Sequence, residues 1–107
     1  MIVVTTPDIP GMRIVECLGM VRGNTIRTRH VGKDILAALR NLAGGEVREY
    51  TKMMAEAREQ AIDRMVEEAE TLGADAVVMV RFQTVEMMRG AAEMLCYGTA
   101  VRLERLG

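Results

Sequence analysis

Large aromatic side chains are almost absent from this sequence. One Phe, two Tyr and no Trp make up the aromatic 3% of a chain in which 50% of the residues are hydrophobic. Ten Met, together with many Val, Ala and Leu, must therefore fill the core, and Met adapts to irregular gaps without defining a site by itself. A chain of 107 residues fits one domain that buries roughly two-thirds of its unfolded surface. The composition predicts a single domain, residues 1–107, with several modest apolar faces.

An excess of charge of either sign is also missing. Lys and Arg number 14 and Asp and Glu number 15, for a formal net charge of −1. Nothing resembles the basic stripe of a nucleic-acid binder, so we expect no nucleic-acid partner. No window approaches the ~20 apolar residues that a spanning helix needs, and the N-terminus lacks the basic and apolar regions of a signal peptide. The expectation is a cytoplasmic protein without a membrane partner.

Motifs that carry known chemistry are absent as well. The sequence contains no phosphate-binding loop, dinucleotide-binding fingerprint, metalloprotease helix or nucleophile elbow. We therefore predict no catalytic residues and no enzymatic activity. Arginines in the first half of the chain offer a candidate anion site, particularly if symmetry repeats them: Arg22, Arg27, Arg29 and Arg40.

Only a few residues could hold a transition-metal ion. The candidate ligands are Cys17, His30 and Cys96, because thiolates and imidazole are the side chains that such metals prefer. The cysteines form no CxxC pair, so these ligands can meet only if the fold or the symmetry of an oligomer gathers them. The simpler interpretation is two buried reduced thiols and a histidine at the junction between a strand and a helix.

β-Prone segments lie at both ends of the chain. The first run covers residues 2–5 and a second covers residues 13–21. Arg22, Gly23 and Asn24 then read as a turn or bulge, followed by an exposed or edge strand over residues 25–29. Two more strands are predicted over residues 76–86 and 93–104, joined by a mobile hairpin loop at residues 87–90.

Helical periodicity occupies the middle of the chain. One helix is predicted to begin at residues 32–34 and to end at Gly44 and Gly45. A second runs from about Tyr50 to Leu72, with Thr51 near its start, alanines on one side and five acidic residues mostly on the other: Glu56, Glu59, Asp63, Glu67 and Glu70. The expected fold is α+β, a mostly antiparallel sheet with two helices packed on one face.

The two faces of this sheet differ in their side chains. Small residues of the last strand, Cys96, Gly98 and Ala100, suit an alanine-lined helix, and the predicted strand at residues 13–21 has a matching small face at its odd positions. The helices can cover only that face, so larger apolar residues are left on the other: Ile14, Leu18, Met20, Leu95, Val101 and Leu103. An uncovered apolar patch of that size usually marks an interface, which predicts a homo-oligomer.

Taken together, these segments resemble the YbjQ-like family. The resemblance rests on VRGNTIRTRHVGKDILAALRNLAGGEVREYT at residues 21–51, LGADAVVMVRF at 72–82 and YGTAV at 97–101, and IVVTTPDIPGMRIVECLG at 2–19 also fits. The match spans essentially the whole chain. This small bacterial and archaeal family carries a heavy-metal-binding label without a ligand motif that can be mapped here.

The resemblance implies an α+β subunit with a curved antiparallel sheet that assembles as a homopentamer. For function it implies a non-enzymatic protein that binds a heavy-metal ion or a small ligand at or between subunits. A structural or protein-interaction scaffold is the alternative. The resemblance does not identify any of the three candidate residues, Cys17, His30 and Cys96, as a metal ligand.

Overall fold

A computed structural model of the chain describes residues 1–28, 44–88 and 91–107. The described elements are β1 (Ile2–Val3), β2 (Met12–Thr28), α1 (Gly44–Thr71), β3 (Ala76–Met88) and β4 (Ala91–Arg105). The four strands form one sheet in the order β1-β3-β4-β2, in which β1 is parallel to β3 and the other two pairings are antiparallel. The α+β class and the mostly antiparallel sheet are confirmed.

Two helices were expected, and the described residues contain one. The predicted helix that begins at residues 32–34 falls outside them. Gly44 and Gly45, expected to end that helix, instead form the first turn of α1, which begins ahead of the predicted start near Tyr50. Glycine is accepted at the start of a helix because the N-cap residue takes non-helical backbone angles, and it ranks close to Thr there.

Strand β2 is continuous through the predicted turn at Arg22, Gly23 and Asn24. All three residues are paired with β4, Gly23 opposite Cys96. Gly23 is required by packing rather than by a turn, because an added Cβ would overlap the carbonyl oxygen of Ala61 in α1. The glycine lets the helix backbone approach the strand, so the signal of a turn residue was misleading here.

The core lies between α1 and one face of the sheet. Ala57, Ala61, Met65 and Ala69 follow a four-residue spacing along α1 and are almost fully buried. They pack against small and medium side chains of the sheet, as predicted for this face: Val21, Val77, Cys96 and Ala100. The buried Thr25 hydroxyl donates a hydrogen bond of 3.0 Å to the carbonyl oxygen of Ala57, which joins strand and helix.

In the first third of β2, the regular alternation of side chains between the two faces of the sheet is interrupted. Register shifts occur between Ile14 and Glu16 and between Cys17 and Gly19. Because a bulge adds an unpaired residue, Leu18 packs against the helix-side core and Cys17 lies opposite Val101 on the other face. The sequence prediction placed these two side chains the other way round, since unbroken alternation was assumed.

Part of the second face of the sheet is covered by the N-terminal segment. Val4 and Ile9 pack against Ala76, Val78 and Val101 in a separate small core. Hydrogen bonds hold the segment at the outer edge of β3, from Val4 N to Val77 O at 3.0 Å and from Val80 N to Val4 O at 3.0 Å. Val101 is therefore 2% exposed, and the apolar patch expected on this face is smaller than the sequence indicated.

A second irregularity lies in β3 at Met79. The register of β3 against β4 shifts between Val78 and Arg81, and Met79 has a φ of 54°, in the left-handed region. Gly98 lies opposite, where an added Cβ would come within 2.7 Å of Val77 Cγ1. A bulge of this kind bends the strand that carries it and increases the local twist.

The chain is long and flat. Its principal extents are 60 × 23 × 15 Å and its radius of gyration is 17.8 Å, against about 13 Å for a compact domain of this length. Among the described residues, no helix has the length and apolar character needed to cross a membrane.

Candidate functional site on the open face of the sheet

The predicted metal ligands do not meet within one chain. Cys17 is exposed in β2 and Cys96 is buried in β4. Cys17 pairs with Val101, five positions along β4 from Cys96, which corresponds to roughly 17 Å at the rise of a strand. Neither a disulfide nor one shared ion can span that distance. His30 falls outside the described residues.

The thiol of Cys96 is buried and unreactive in this fold. It is fully buried, and its Sγ donates a weak hydrogen bond to Met65 Sδ at 3.5 Å. Burial raises the pKa of Cys96 to about 11, so the group is a neutral thiol at physiological pH. Because metals bind the thiolate, Cys96 is a poor ligand unless the core opens.

Other ligating groups are also dispersed. Residues 1–28, 44–88 and 91–107 contain no group of three or more His, Cys, Asp or Glu arranged to hold a metal ion. The predicted arginine cluster is divided as well: Arg22 and Arg27 are an odd number of positions apart on one strand and therefore lie on opposite faces. Arg29 and Arg40 are outside the described part of the chain.

The most distinctive surface is the uncovered part of the sheet face opposite α1. We call it the open face and define it by cross-strand rows. One row is Arg22, Tyr97 and Arg81, the next is Asn24, Leu95 and Gln83, the third is Ile26, Glu93 and Val85, and Met20 borders the first. Exposed apolar side chains are prominent in it: Met20 is 66% exposed, Ile26 56% and Val85 45%.

The first row of the open face places two guanidinium groups beside one phenol ring. Arg22 and Arg81 each pair with Tyr97, so they lie on either side of it, roughly 10 Å apart at the spacing of two strand pairs. Arg81 Nη1 donates to the carbonyl oxygens of Thr5 at 2.9 Å and Val80 at 2.8 Å, which fixes this guanidinium in place. Such a row suits carboxylates, because guanidinium offers paired donors and a full charge.

Sequence reasoning missed this row for a specific reason. It placed Tyr97 correctly on the face opposite Cys96, but it assigned Arg22 to a turn and had no means of aligning Arg81 with it. The signal was the period of two through Met20, Arg22, Asn24 and Ile26, which continues through the supposed turn.

The exposed area of the chain is large for its mass. The isolated chain of 11.8 kDa exposes 7307 Å². A monomeric protein of this mass exposes roughly 5,900 Å², so the excess is about 1,400 Å². An elongated shape, with extents of 60 × 23 × 15 Å, exposes more surface than a compact one of equal mass.

The fold defines a class: a small α+β domain with a mixed four-stranded sheet and one helix among its described residues. The chain belongs to the YbjQ family, whose profile, described as "Putative heavy-metal-binding", matches residues 1–104. The family predicted from the sequence is therefore confirmed.

Curated relatives extend over nearly the same length. A UPF0145 protein of Thermosipho africanus is 58% identical over 105 residues, covering 98% of this chain and 97% of its own. UPF0145 proteins of Archaeoglobus fulgidus and Methanosarcina acetivorans are each 59% identical, over 102 and 103 residues, covering 95% and 96% of this chain and 94% and 97% of their own.

The fold also has a counterpart among solved structures. A protein of unknown function from Pediococcus pentosaceus, solved as a crystal structure and assigned to the DUF74 family, superposes with a TM-score of 0.65. The superposition covers 97% of this chain and 98% of that one, at 18% sequence identity. This similarity supports the fold alone.

Proposed function

We propose that this protein is a non-enzymatic subunit of a homopentamer that binds a heavy-metal ion or a small ligand at or between its subunits. The observation that carries the proposal is the open face, with its exposed apolar side chains, on a chain that exposes about 1,400 Å² more than a monomer of its mass. The family description supports the metal, and its relatives span the same length as this chain.

Cys17 is the best placed of the three proposed ligands. Its thiol is exposed and lies opposite Val101, beside the open face. A ring would repeat this thiol once per subunit, and symmetry can gather soft ligands that are single in one chain. His30 is the second proposed ligand. Cys96 requires local opening before it can bind. We place the protein in the cytoplasm, where two unpaired thiols stay reduced.

Calorimetric titration of the assembled protein tests the metal proposal. Zn²⁺, Cu⁺ and Ni²⁺ are titrated under reducing conditions into the wild type and into the variants Cys17→Ser, His30→Ala and Cys96→Ala. We expect binding heat for at least one metal that is lost in Cys17→Ser, weakened in His30→Ala and retained in Cys96→Ala. No binding heat and no shift in melting temperature with any of the three metals would rule out metal binding and leave the scaffold as the proposed function.

A further inference from the structure

The outer side of α1 carries a stripe of carboxylates. Glu56, Glu59, Asp63, Glu67 and Glu70 recur at steps of three and four and are all exposed. They lie away from the alanines that pack on the sheet, and Lys52 is the single described cation on the same side. None of the five forms an ion pair with another residue of the described ranges, where the ion pairs are Arg13 with Glu104 and Arg102 with Glu16. We call this set the acidic side of α1.

The open face has the opposite charge at its Arg22–Tyr97–Arg81 row. Its one carboxylate, Glu93, lies two rows away, beside Ile26 and Val85. The backbone positions of Arg22 and Arg81 are roughly 10 Å apart by strand spacing. Two carboxylates seven residues apart on a helix, such as Glu56 and Asp63, are separated by about 10 Å along the axis. Both surfaces therefore present complementary charges at the same spacing.

These two surfaces lie on opposite sides of the same molecule, and this decides what kind of contact they can make. A chain cannot join its own sheet face to the outside of its own helix. A second copy can, and the contact is then head-to-tail, which forms a ring when the rotation closes. The sheet would gain a helix on each face, so that its apolar open face is buried.

We infer that in the assembly the open face of each subunit is covered by the acidic side of α1 from a neighbouring copy, with Arg22 and Arg81 binding its carboxylates. This inference rests on the oligomer proposed above and names its contact. Met20, which borders the arginine row, contributes burial, while the arginine row sets the position of the helix.

Charge reversal measured by sedimentation velocity at fixed protomer concentration tests the contact. Arg22→Glu and a second set, the single variants Glu56→Lys and Asp63→Lys, are each expected to weaken assembly at least about tenfold, since like charges then meet in the interface. Combining Arg22→Glu with the variant of the carboxylate that it faces is expected to restore assembly. Arg58→Glu is the control: it changes the net charge by the same amount as Arg22→Glu but lies on the flank of α1, and it is expected to assemble like the wild type.

Folding is checked separately by circular dichroism, because a variant that unfolds would also fail to assemble. An Arg22→Glu protein that assembles like the wild type overturns the contact while leaving the oligomer intact. Loss of assembly in both sets without recovery in the combination also overturns it. A wild type that sediments as a folded monomer overturns the oligomer and the contact together.

Discussion

Replacing Gly23 by Ala tests the packing of α1 on β2 most severely. The added Cβ would overlap the carbonyl oxygen of Ala61 and lie 2.5 Å from the amide nitrogen of Met65 and 2.9 Å from Arg64 Cβ. Two of these three atoms belong to the helix backbone, so no side-chain rotation relieves the overlap. Ordinary contacts between carbon and a neighbouring heavy atom need about 3.5 Å, so α1 must move by roughly 1 Å.

That displacement has two costs. Overpacking of a tight core typically costs about 1–3 kcal/mol. A helix moved away from β2 also stretches the hydrogen bond from Thr25 Oγ1 to Ala57 O, worth about 1 kcal/mol, and leaves a hydroxyl that is 2% exposed without a partner. We expect Gly23→Ala to lower the free energy of unfolding by about 3 kcal/mol and the melting temperature by roughly 10–20 °C.

Thermal and urea unfolding followed by circular dichroism measure this effect. Protomer concentration is held constant, because assembly shifts apparent stability. Arg58→Ala is the control: this residue is exposed on the flank of α1, outside the proposed contact, and the change should alter stability by less than about 0.5 kcal/mol. If Gly23→Ala has the same melting temperature as the wild type, α1 does not approach β2 as closely as described, and close packing is not the reason for this glycine.

Three further predictions concern single side chains. Met79→Gly should stabilise the protein by up to about 1 kcal/mol, because a φ of 54° costs a non-glycine residue roughly 1–2 kcal/mol, while Met79→Ala should give no gain in chemical unfolding. Thr25→Val should cost about 1 kcal/mol in the same assay, since it removes the hydrogen bond to Ala57 with little change in volume; an unchanged midpoint would contradict that bond. Cys96 predicts a pH dependence. Its pKa rises from 9.0 unfolded to about 11 folded, so the unfolded state loses its proton first as pH rises. This contribution to stability is complete below pH 9 and is lost toward pH 11 at about 1.4 kcal/mol per pH unit. The slope should be absent in Cys96→Ala, and an equal slope in both proteins would contradict the buried thiol.

The sequence was most informative where side-chain size alternates without interruption. Small residues at Cys96, Gly98 and Ala100 and alanines at a four-residue spacing in α1 predicted which face of β4 the helix covers, and the structure confirms it. Periodicity predicted the buried face correctly because packing against the helix requires small residues at alternate positions of the strand.

The same reasoning failed where the backbone departs from regular geometry. Gly23 was interpreted as a turn residue, although it allows the backbone of α1 to lie close to β2. The bulges around Cys17 place its side chain on the face of the sheet opposite to the one predicted. A bulge adds a residue without leaving a pattern in the sequence, and the need for glycine depends on an atom of a distant segment.

The candidate site was harder to predict than the fold. The row of Arg22, Tyr97 and Arg81 exists only because three strands align in one register, which is a tertiary property. Cys17, His30 and Cys96 were proposed from their chemistry alone, and the strand register places the two cysteines far apart within one chain. Their role as ligands stays a prediction for the assembled protein.

Light scattering of the purified protein at micromolar concentration tests the central claim, that this chain is a subunit whose open face is buried by other copies. We expect a stable particle of about 59 kDa, five times the 11.8 kDa of one chain. The measurement is read together with circular dichroism, so that only folded protein is considered. A folded particle of 11.8 kDa would contradict both the pentamer and the interpretation of the open face.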